Sequence, residues 1–495
     1  MTGALYSGKM CAVRAFRPVA AHAWTRAARR SSRYAPAIAL LFGAAVFPAS
    51  APAQSVPSEP AASQSQGDPK APERWNLFYQ ATSIGQYHGA FPALYSGPFS
   101  LNNTRERDVS LTTTLFFGLR LERNTLLYFD PEIAGGRGFS HVNGLANSSN
   151  GELPRVDSAT PKPYLARLYV SHDFGFGARK EAVEGDENQL AGERPMTRYT
   201  ITAGRFTLTD FFDNNRYTHD PRTQFIGWGI MFNGAWDYPA DVRGYTWGWV
   251  HEFHARDWSL RYASAAMPRV ANGLRFDRRL FRDRGDVFEG EYRYQIAKQP
   301  GTVRLLGYAN HADAGDYGQA ILDAGKSGRV PDVTATRKIG TLKYGSGLSA
   351  EQAITDDFGL FARLGWSDGK TESFAFTTID RLATIGGSLR GVRWRRPMDT
   401  AGAELTISGL SGVHATYLAR GGNDFLIGDG RLTYAPEYIA EAYYSAHLFS
   451  GFFASFDLQH AANPAFNQDR GPVWIPSLRL HAQWDVGGLW KKVHP

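Results

Sequence analysis

From Trp75 almost to its end the chain alternates apolar and polar residues in runs of roughly 8 to 14 positions, the signature of strands with one oily and one wet face. Phe288, Gly290, Tyr292, Tyr294 and Ile296 share one face, and Glu289, Glu291, Arg293 and Gln295 share the other. Phe358, Leu360, Ala362, Leu364 and Trp366 oppose Arg363. Tyr438, Ala440, Ala442, Tyr444, Ala446 and Leu448 oppose Glu437, Glu441, Ser445 and His447. Phe452, Ala454, Phe456 and Leu458 oppose Ser455, Asp457 and Gln459. The series closes with Leu478, Leu480, Ala482 and Trp484 against Arg479, His481, Gln483 and Asp485.

Candidate strands begin near 75, 105, 124, 164, 197, 223, 242, 257, 286, 301, 334, 358, 371, 384, 437, 451 and 474. Allowing one miscount, the expectation is an all-β fold, a transmembrane antiparallel β-barrel of about 16 to 18 strands. A soluble sandwich also alternates. Repetition decides against it: lone charges such as Glu291, Arg363 and Glu441 need water, while their neighbours need something apolar. In lipid only a closed sheet leaves no unpaired edge, each exposed backbone group costing several kcal/mol. No run of 18 uncharged apolar residues follows the N-terminal region, so membrane-spanning helices are excluded.

Connections divide by length. Lys298–Gly301, Asp368–Lys370 and Ser450–Gly451 read as short periplasmic turns, and segments 87–104, 133–162, 176–196, 267–285, 310–333 and 461–473 as long external or inward loops. Residues 401–436 read as an insertion, with a short helix from Glu404 to Arg420 stopped at Gly421-Gly422. Folded inward, it would narrow the lumen.

The N-terminus changes the charge picture. Arg26, Arg29, Arg30 and Arg33 lead into an apolar run from Ala35 to Phe47, and Ala51 and Ala53 form a small-x-small cleavage site. Residues 1–53 are therefore expected to be a signal peptide, with Met10 an alternative start. Pro36 interrupts an apolar run already too short for a transmembrane anchor. Residues 54–74, rich in Pro, Ser, Gln and Ala, read as a flexible periplasmic lead-in to a barrel over 75–490. The formal net charge is +7, but the presequence holds Lys9, six arginines and no acid, leaving 47 basic against 47 acidic residues. The mature chain is neutral and gives no argument for nucleic acid. Its only cysteine, Cys11, leaves with the presequence, so disulfides and thiolate metal sites are excluded.

Catalytic patterns are missing: there is no Walker sequence, no HExxH and no GxSxG with partners. Gly135-Gly136-Arg137-Gly138 lacks the strand-turn-helix setting of a phosphate loop. His251 and His254 lack metal-ligand spacing, and no metal or other cofactor is expected. Glu289 and Glu291 could suggest glycoside chemistry, yet paired inward residues at i, i+2 recur in any barrel. Charges on the polar faces are the stronger signal: Arg120, Arg167, Arg205, Arg293, Arg363 and Arg479, balanced by Glu289, Glu291, Glu437 and Glu441. A sugar presents hydroxyl edges and C–H faces, so forked donors, carboxylates and rings such as Tyr169, Tyr294, Tyr443, Trp247 and Trp249 suit it. Any one of these residues could equally hydrate the wall or belong to an interfacial aromatic girdle.

Several ordered pieces carry a resemblance. They are Tyr95-Ser96-Gly97-Pro98-Phe99-Ser100-Leu101 with Arg105-Glu106-Arg107, Leu127-Tyr128-Phe129-Asp130-Pro131-Glu132, Asn150-Gly151-Glu152-Leu153 and Tyr164-Leu165-Ala166-Arg167-Leu168. They continue through Gly204-Arg205-Phe206, the stretch Asp210 to Phe225, and Asp469-Arg470-Gly471-Pro472-Val473. With them the sequence resembles the OprB-like family of carbohydrate-selective porins. The resemblance implies a barrel of about sixteen strands in the outer membrane of a Gram-negative bacterium, passing small sugars passively through a constriction of arginine and glutamate. It marks Glu132, Arg167 and Arg205 as pore-side residues. Asp213, Asn215, Asp220 and Arg222 lie in a turn-rich stretch where side-chain to backbone bonding is the expectation. Expected partners are small carbohydrates, outer-membrane lipid and lipopolysaccharide, and the barrel-assembly machinery; a homo-oligomer is compatible. One departure is that Asp485–Pro495 follow the last strand where such barrels often end on an aromatic residue. A non-selective porin and a plugged structural or adhesive barrel remain the alternatives.

Overall fold

The computed structural model describes residues 72–153, 159–279 and 282–493. The expected signal peptide and all but the last three residues of the expected lead-in lie outside them. Sixteen strands among the described residues form a closed antiparallel barrel in sequence order, with the last paired to the first. They are β1 (Trp75–His88), β2 (Glu106–Glu122), β3 (Thr125–Gly135), β4 (Lys162–Val183), β5 (Gly192–Phe206), β6 (Thr246–His254), β7 (Trp258–Ala266) and β8 (Arg284–Ile296). The second half comprises β9 (Gln299–Ala314), β10 (Lys338–Ala353), β11 (Phe358–Ser367), β12 (Arg381–Gly391), β13 (Arg396–Gly409), β14 (Glu437–Phe449), β15 (Phe452–Ala462) and β16 (Val473–Asp485).

Alternation places the residues as the sequence implies. Phe288, Tyr292, Leu364, Phe456 and Leu478 are exposed on the outer wall, whereas Glu289, Arg363, Asp457 and Arg479 are buried on the inner side. The ring thus has an apolar belt outside and a polar wall inside. No helix among the described residues is long and apolar enough to cross a membrane.

Five expectations need correction. No strand starts near 223: residues 207–245 are one long connection with a 3-10 turn at Leu208–Asp210 and a helical turn at Trp228–Met231. Its apolar run Phe225, Ile226, Trp228, Ile230 and Met231 is buried as a core of the loop itself, which a strand pattern mimics. Nor does a strand start near 371, since residues 368–380 connect β11 to β12, and the turn at Asp368–Lys370 belongs to the long-loop end. The helix expected over Glu404–Arg420 is β13 followed by a helix only at Gly412–Ala419; Glu404, Thr406 and Ser408 point inward while Ile407 is exposed, a period of two. Segment 176–196 is mostly the hairpin of β4 and β5 rather than a loop.

With an even strand count, both chain ends of the barrel and all seven short turns share one rim, and the eight long connections share the other. At the long-loop rim, helix α1 (Tyr317–Ser327) begins at Asp316, whose side chain accepts from Gln319 N (2.7 Å), and ends at Gly328 with φ 69°. Helix α2 (Gly412–Ala419) is capped by Ser411, which accepts from His414 N (3.2 Å). His414 ties the two together: its ring stacks on Tyr317 (4.2 Å), Nδ1 meets Asp380 (2.9 Å) and Nε2 meets Asp424 (3.1 Å), which also accepts from the Tyr317 hydroxyl (2.6 Å). Burial opposes charge on His414, yet Asp380 and Asp424 win and lift it to about 9. Burial likewise opposes charge on Asp380, and His414 holds it down at about 2.

The sign follows. A raised histidine stabilises loop docking fully below its ordinary value of about 6.5 and loses that contribution as pH rises through about 9. A depressed aspartate stabilises above its ordinary value and is lost only as pH falls toward about 2. Limited proteolysis within 315–337 and 410–436 is therefore expected to increase between pH 8 and 10, and H414Q to be cleaved readily at either pH; equal resistance of both proteins throughout would contradict the ion-paired dock. Beyond β16 the chain turns into helix α3 (Val486–Val493), so the strand does not extend to Trp490.

Candidate functional site

Residues 207–245 enter the lumen, and the inward charges of the wall are what hold them there. On β8, Glu289 accepts from Asp213 N (2.7 Å); on β10, Glu351 accepts from Arg216 N (2.6 Å); on β14, Glu441 accepts from Ile226 N (2.5 Å) and Gly227 N (3.0 Å). From β11, Arg363 donates to Asp213 (3.1 Å) and to the carbonyls of Ile230 (2.6 Å) and Thr218 (2.7 Å). From β16, Arg479 donates to the carbonyls of Pro221 (2.7 Å) and Gln224 (2.6 Å). A loop in a barrel has no ladder for its backbone groups, so side chains must supply the partners. Above this layer, Trp228, Met231, Phe232, Trp236, Tyr238 and Phe376 pack into an apolar core inside the ring.

Below that core the loop crosses to the opposite wall. Arg222 donates through Nε to Glu152 (2.8 Å), through Nη2 to Glu132 (3.2 Å) and through Nη1 to Gln80 of β1. Glu132 also accepts from Thr114 (2.6 Å) and Tyr164. Beside it, Arg167 makes a forked pair with Asp210 (2.8 and 2.6 Å) and a longer one with Asp130 (3.4 Å), and Arg205 pairs with Asp241 (2.6 Å). Both guanidinium groups lie over the Tyr245 ring, at 5.4 and 5.7 Å. Two backbone irregularities re-aim these arginines: the β3–β4 register shifts beside Arg167, and Gly204, next to Arg205, has φ 140°. A Cβ at Gly204 would lie 2.3 Å from Leu168 O, so only glycine fits.

Electrostatics keep Arg222 charged. Burial opposes its charge, but Glu152 and Glu132 hold its pKa well above the ordinary value. Glu152 shows the reciprocal strain: burial lifts it to about 7 despite Arg222. Asp220, also pressed upward by burial, is held below the usual range by Arg222.

A second ladder of charge runs up the inner wall from β6 to β10. Arg261 bridges Glu252 (3.0 Å), Glu289 (2.9 Å) and Glu291 (3.1 Å), and Arg304 bridges Glu291 (3.0 Å) and Glu351 (3.3 Å). Between this ladder and the loop lies an open polar cavity of about 290 Å³, lined by Asn214, Asn215, Arg216, His219, Asp220, Gln224, Arg304 and Glu351.

The residues singled out from sequence separate into groups. Glu132, Arg167 and Arg205 lie together around Tyr245. Glu289, Glu441, Arg363 and Arg479 grip the loop, and Glu437 grips the backbone of Asn147 (2.8 Å) and Ala465 (2.8 Å). Glu291 belongs to the charge ladder, and Arg261 binds it and Glu289 together. Arg120 and Arg293 lie at the short-turn rim, donating to the carbonyls of Glu73 and Ala191 and of Ala255 respectively. Of the five rings, Tyr169 and Tyr443 are buried inside, Trp247 and Trp249 are exposed outside, and Tyr294 shares the outer face of Tyr292.

Backbone bonding holds for Asp213, Asn215 and Asp220, which accept from Asn233 N, Tyr217 N and Arg222 N. Arg222 departs from it, its side chain bonding those of Glu152, Glu132 and Gln80. Arg261, Arg304, Glu252 and Glu351 were open to the same reading as Glu291, being lone charges in alternating strands; Tyr245 and Glu152 carry no such pattern.

A closed ring of sixteen strands with a polar lumen narrowed by an inward loop is the architecture of a diffusion porin. The family model described as carbohydrate-selective porin, OprB family, matches residues 101–484, and the chain belongs to that family. Among solved structures, OprB of Pseudomonas putida at high pH is similar with a TM-score of 0.62 and 15% identity, over 83% of this chain and 94% of that one. The outer membrane channel DcaP of Acinetobacter baumannii gives 0.43 at 9% identity (83% and 97% covered), and Salmonella typhi OmpF gives 0.43 at 7% (83% and 98%). Against curated proteins the chain has no significant match. Family and fold are those of an outer-membrane channel rather than an enzyme.

Proposed function

We propose that small sugars cross this porin through the polar cavity beside the inward loop, and that Arg222, with Glu132, Glu152 and the arginines over Tyr245, forms the narrowing they must pass. The observation that supports this most is Arg222, a charged fork carried on the inward loop and set against two carboxylates, between Asp220 and Gln224, which line the open polar cavity. A hydrated sugar exchanges water for such donors and acceptors at little cost, whereas a bulky apolar solute has nothing to exchange. Glu289, Glu437, Glu441, Arg363 and Arg479 contribute indirectly, as anchors of the segments that shape the passage. Arg120 and Arg293 act at the rim.

The protein would reside in the outer membrane of a Gram-negative bacterium after removal of residues 1–53, with 54–74 and the short turns in the periplasm. Lipopolysaccharide would meet its outer leaflet side and the assembly machinery would insert it; a homo-oligomer fits this setting.

Purified protein in planar bilayers should give stepwise conductance that falls on addition of a mono- or disaccharide. Conductance indifferent to sugar would reduce the reading to a general porin. The apolar core inside the ring favours one competitor, a barrel that is plugged, and no conductance at all would establish it.

A further inference from the structure

The β4–β5 connection, residues 184–191, lies on the short-turn rim, where four residues suffice elsewhere, yet it folds back into the barrel. Asp186 and Gln189 close a small turn on each other (2.9 and 3.1 Å). Asn76 of β1 donates to the carbonyls of Gln189 (2.7 Å) and Asp186 (3.3 Å), and Asn188 donates to Asp130 of β3 (3.0 Å). Asn76 and Asp130 are buried, inward-facing wall positions, so the tip sits within the ring. Leu190 is buried over Gly118 of β2, where a Cβ would come within 3.3 Å of it and closer still to Asn76. The missing side chain at Gly118 is what admits the tip.

The tip reaches the level of Arg222 from the opposite mouth. Gln80 joins them: its carbonyl oxygen accepts from Arg222, and its Nε2 faces Glu187 Oε2 at 3.5 Å. Glu187 Oε1 is shielded and meets no protein donor. An unsatisfied carboxyl oxygen beside the Arg222 cluster costs free energy that a plain tight turn would avoid.

We infer that the inward β4–β5 tip is a second narrowing of the passage on its short-turn side, and that Glu187 on it is a specificity-determining residue that sets the charge preference there. This rests on the lumen being the solute path. Burial lifts the Glu187 carboxyl to about 8; Arg222 and Arg167 oppose that, while Asp220 and Asp186 add to it, and Gln80 is neutral. Glu187 is then mostly uncharged at neutral pH, a state that admits polyols without selecting for cations, and becomes anionic in alkali.

Reversal potentials in a salt gradient test the inference. Between pH 6.5 and 9.5 the wild-type cation-to-anion permeability ratio should rise about tenfold more than that of E187Q, since one unit charge acting through water across about 6 Å favours the cation and disfavours the anion by about threefold each. E187K should prefer anions relative to wild type at both pH values. Subtracting the E187Q response removes the titration of every other group. Coinciding wild-type and E187Q ratios at both pH values overturn the inference while sugar block persists; a wild-type barrel that conducts nothing overturns the reading beneath it as well.

Discussion

Replacing Arg222 by alanine should weaken sugar block of the channel current by about ten- to a hundredfold, because hydrogen bonds to a charged group contribute about 1.5–3 kcal/mol and each 1.4 kcal/mol is tenfold. The guanidinium is the only cation that Glu132 and Glu152 both bind among the described residues, so its loss also widens the narrowing. Glu152, already lifted to about 7 with the arginine present, is pushed further toward its neutral form. Arg222→Lys keeps the charge but not the fork and should fall between wild type and alanine. Block constants from current noise measure the series. Equal constants for all three proteins would remove Arg222 from the solute path.

Arg363→Ala should leave the barrel intact and release its filling. The guanidinium is fully buried and is shared among Asp213 and the carbonyls of Ile230 and Thr218, none of which has water as a substitute. Breaking such a buried pair from one side costs about 3–5 kcal/mol. That loss falls on the docking of 207–245, since β11 is held by backbone ladders to β10 and β12 that the substitution does not touch. The expected result is unaltered heat-resistant mobility, new protease cleavage within 207–245, and larger single-channel conductance with poorer sugar discrimination. A variant lacking heat-resistant folding would show that the arginine supports the wall itself.

Period-two alternation made the wall legible because each strand is read locally: which of Arg363 or Leu364 faces water follows from their neighbours alone. What Arg363 touches does not, since Asp213 lies 150 positions away and nothing near either residue encodes the other. The inward charges were therefore identifiable as a set but read as lining, whereas Glu289, Glu437, Glu441, Arg363 and Arg479 hold the inward segments. The 207–245 loop misled for a related reason. Its Phe225–Met231 run is apolar because it builds a core inside the ring, and sequence does not distinguish that from a strand facing lipid. Strand β13 escaped because Ala401, Gly402 and Ala403 blunt its alternation before Leu405 and Ile407 restore it. The tip at Glu187 was covered only by the broad reading of 176–196 as a long external or inward loop, and nothing in its polar residues marked Glu187 itself.

β16 seals the ring against β1 along nine paired positions, from Phe78 with Asp485 to Gln86 with Ser477, and it also carries Arg479. That side chain ends on two carbonyls of the inward loop. Docking the final strand over a misplaced loop would enclose a guanidinium with only the Ser455 hydroxyl (3.1 Å) to accept from it, so a wrongly filled cylinder resists being shut. Completion of the wall thereby proofreads its contents.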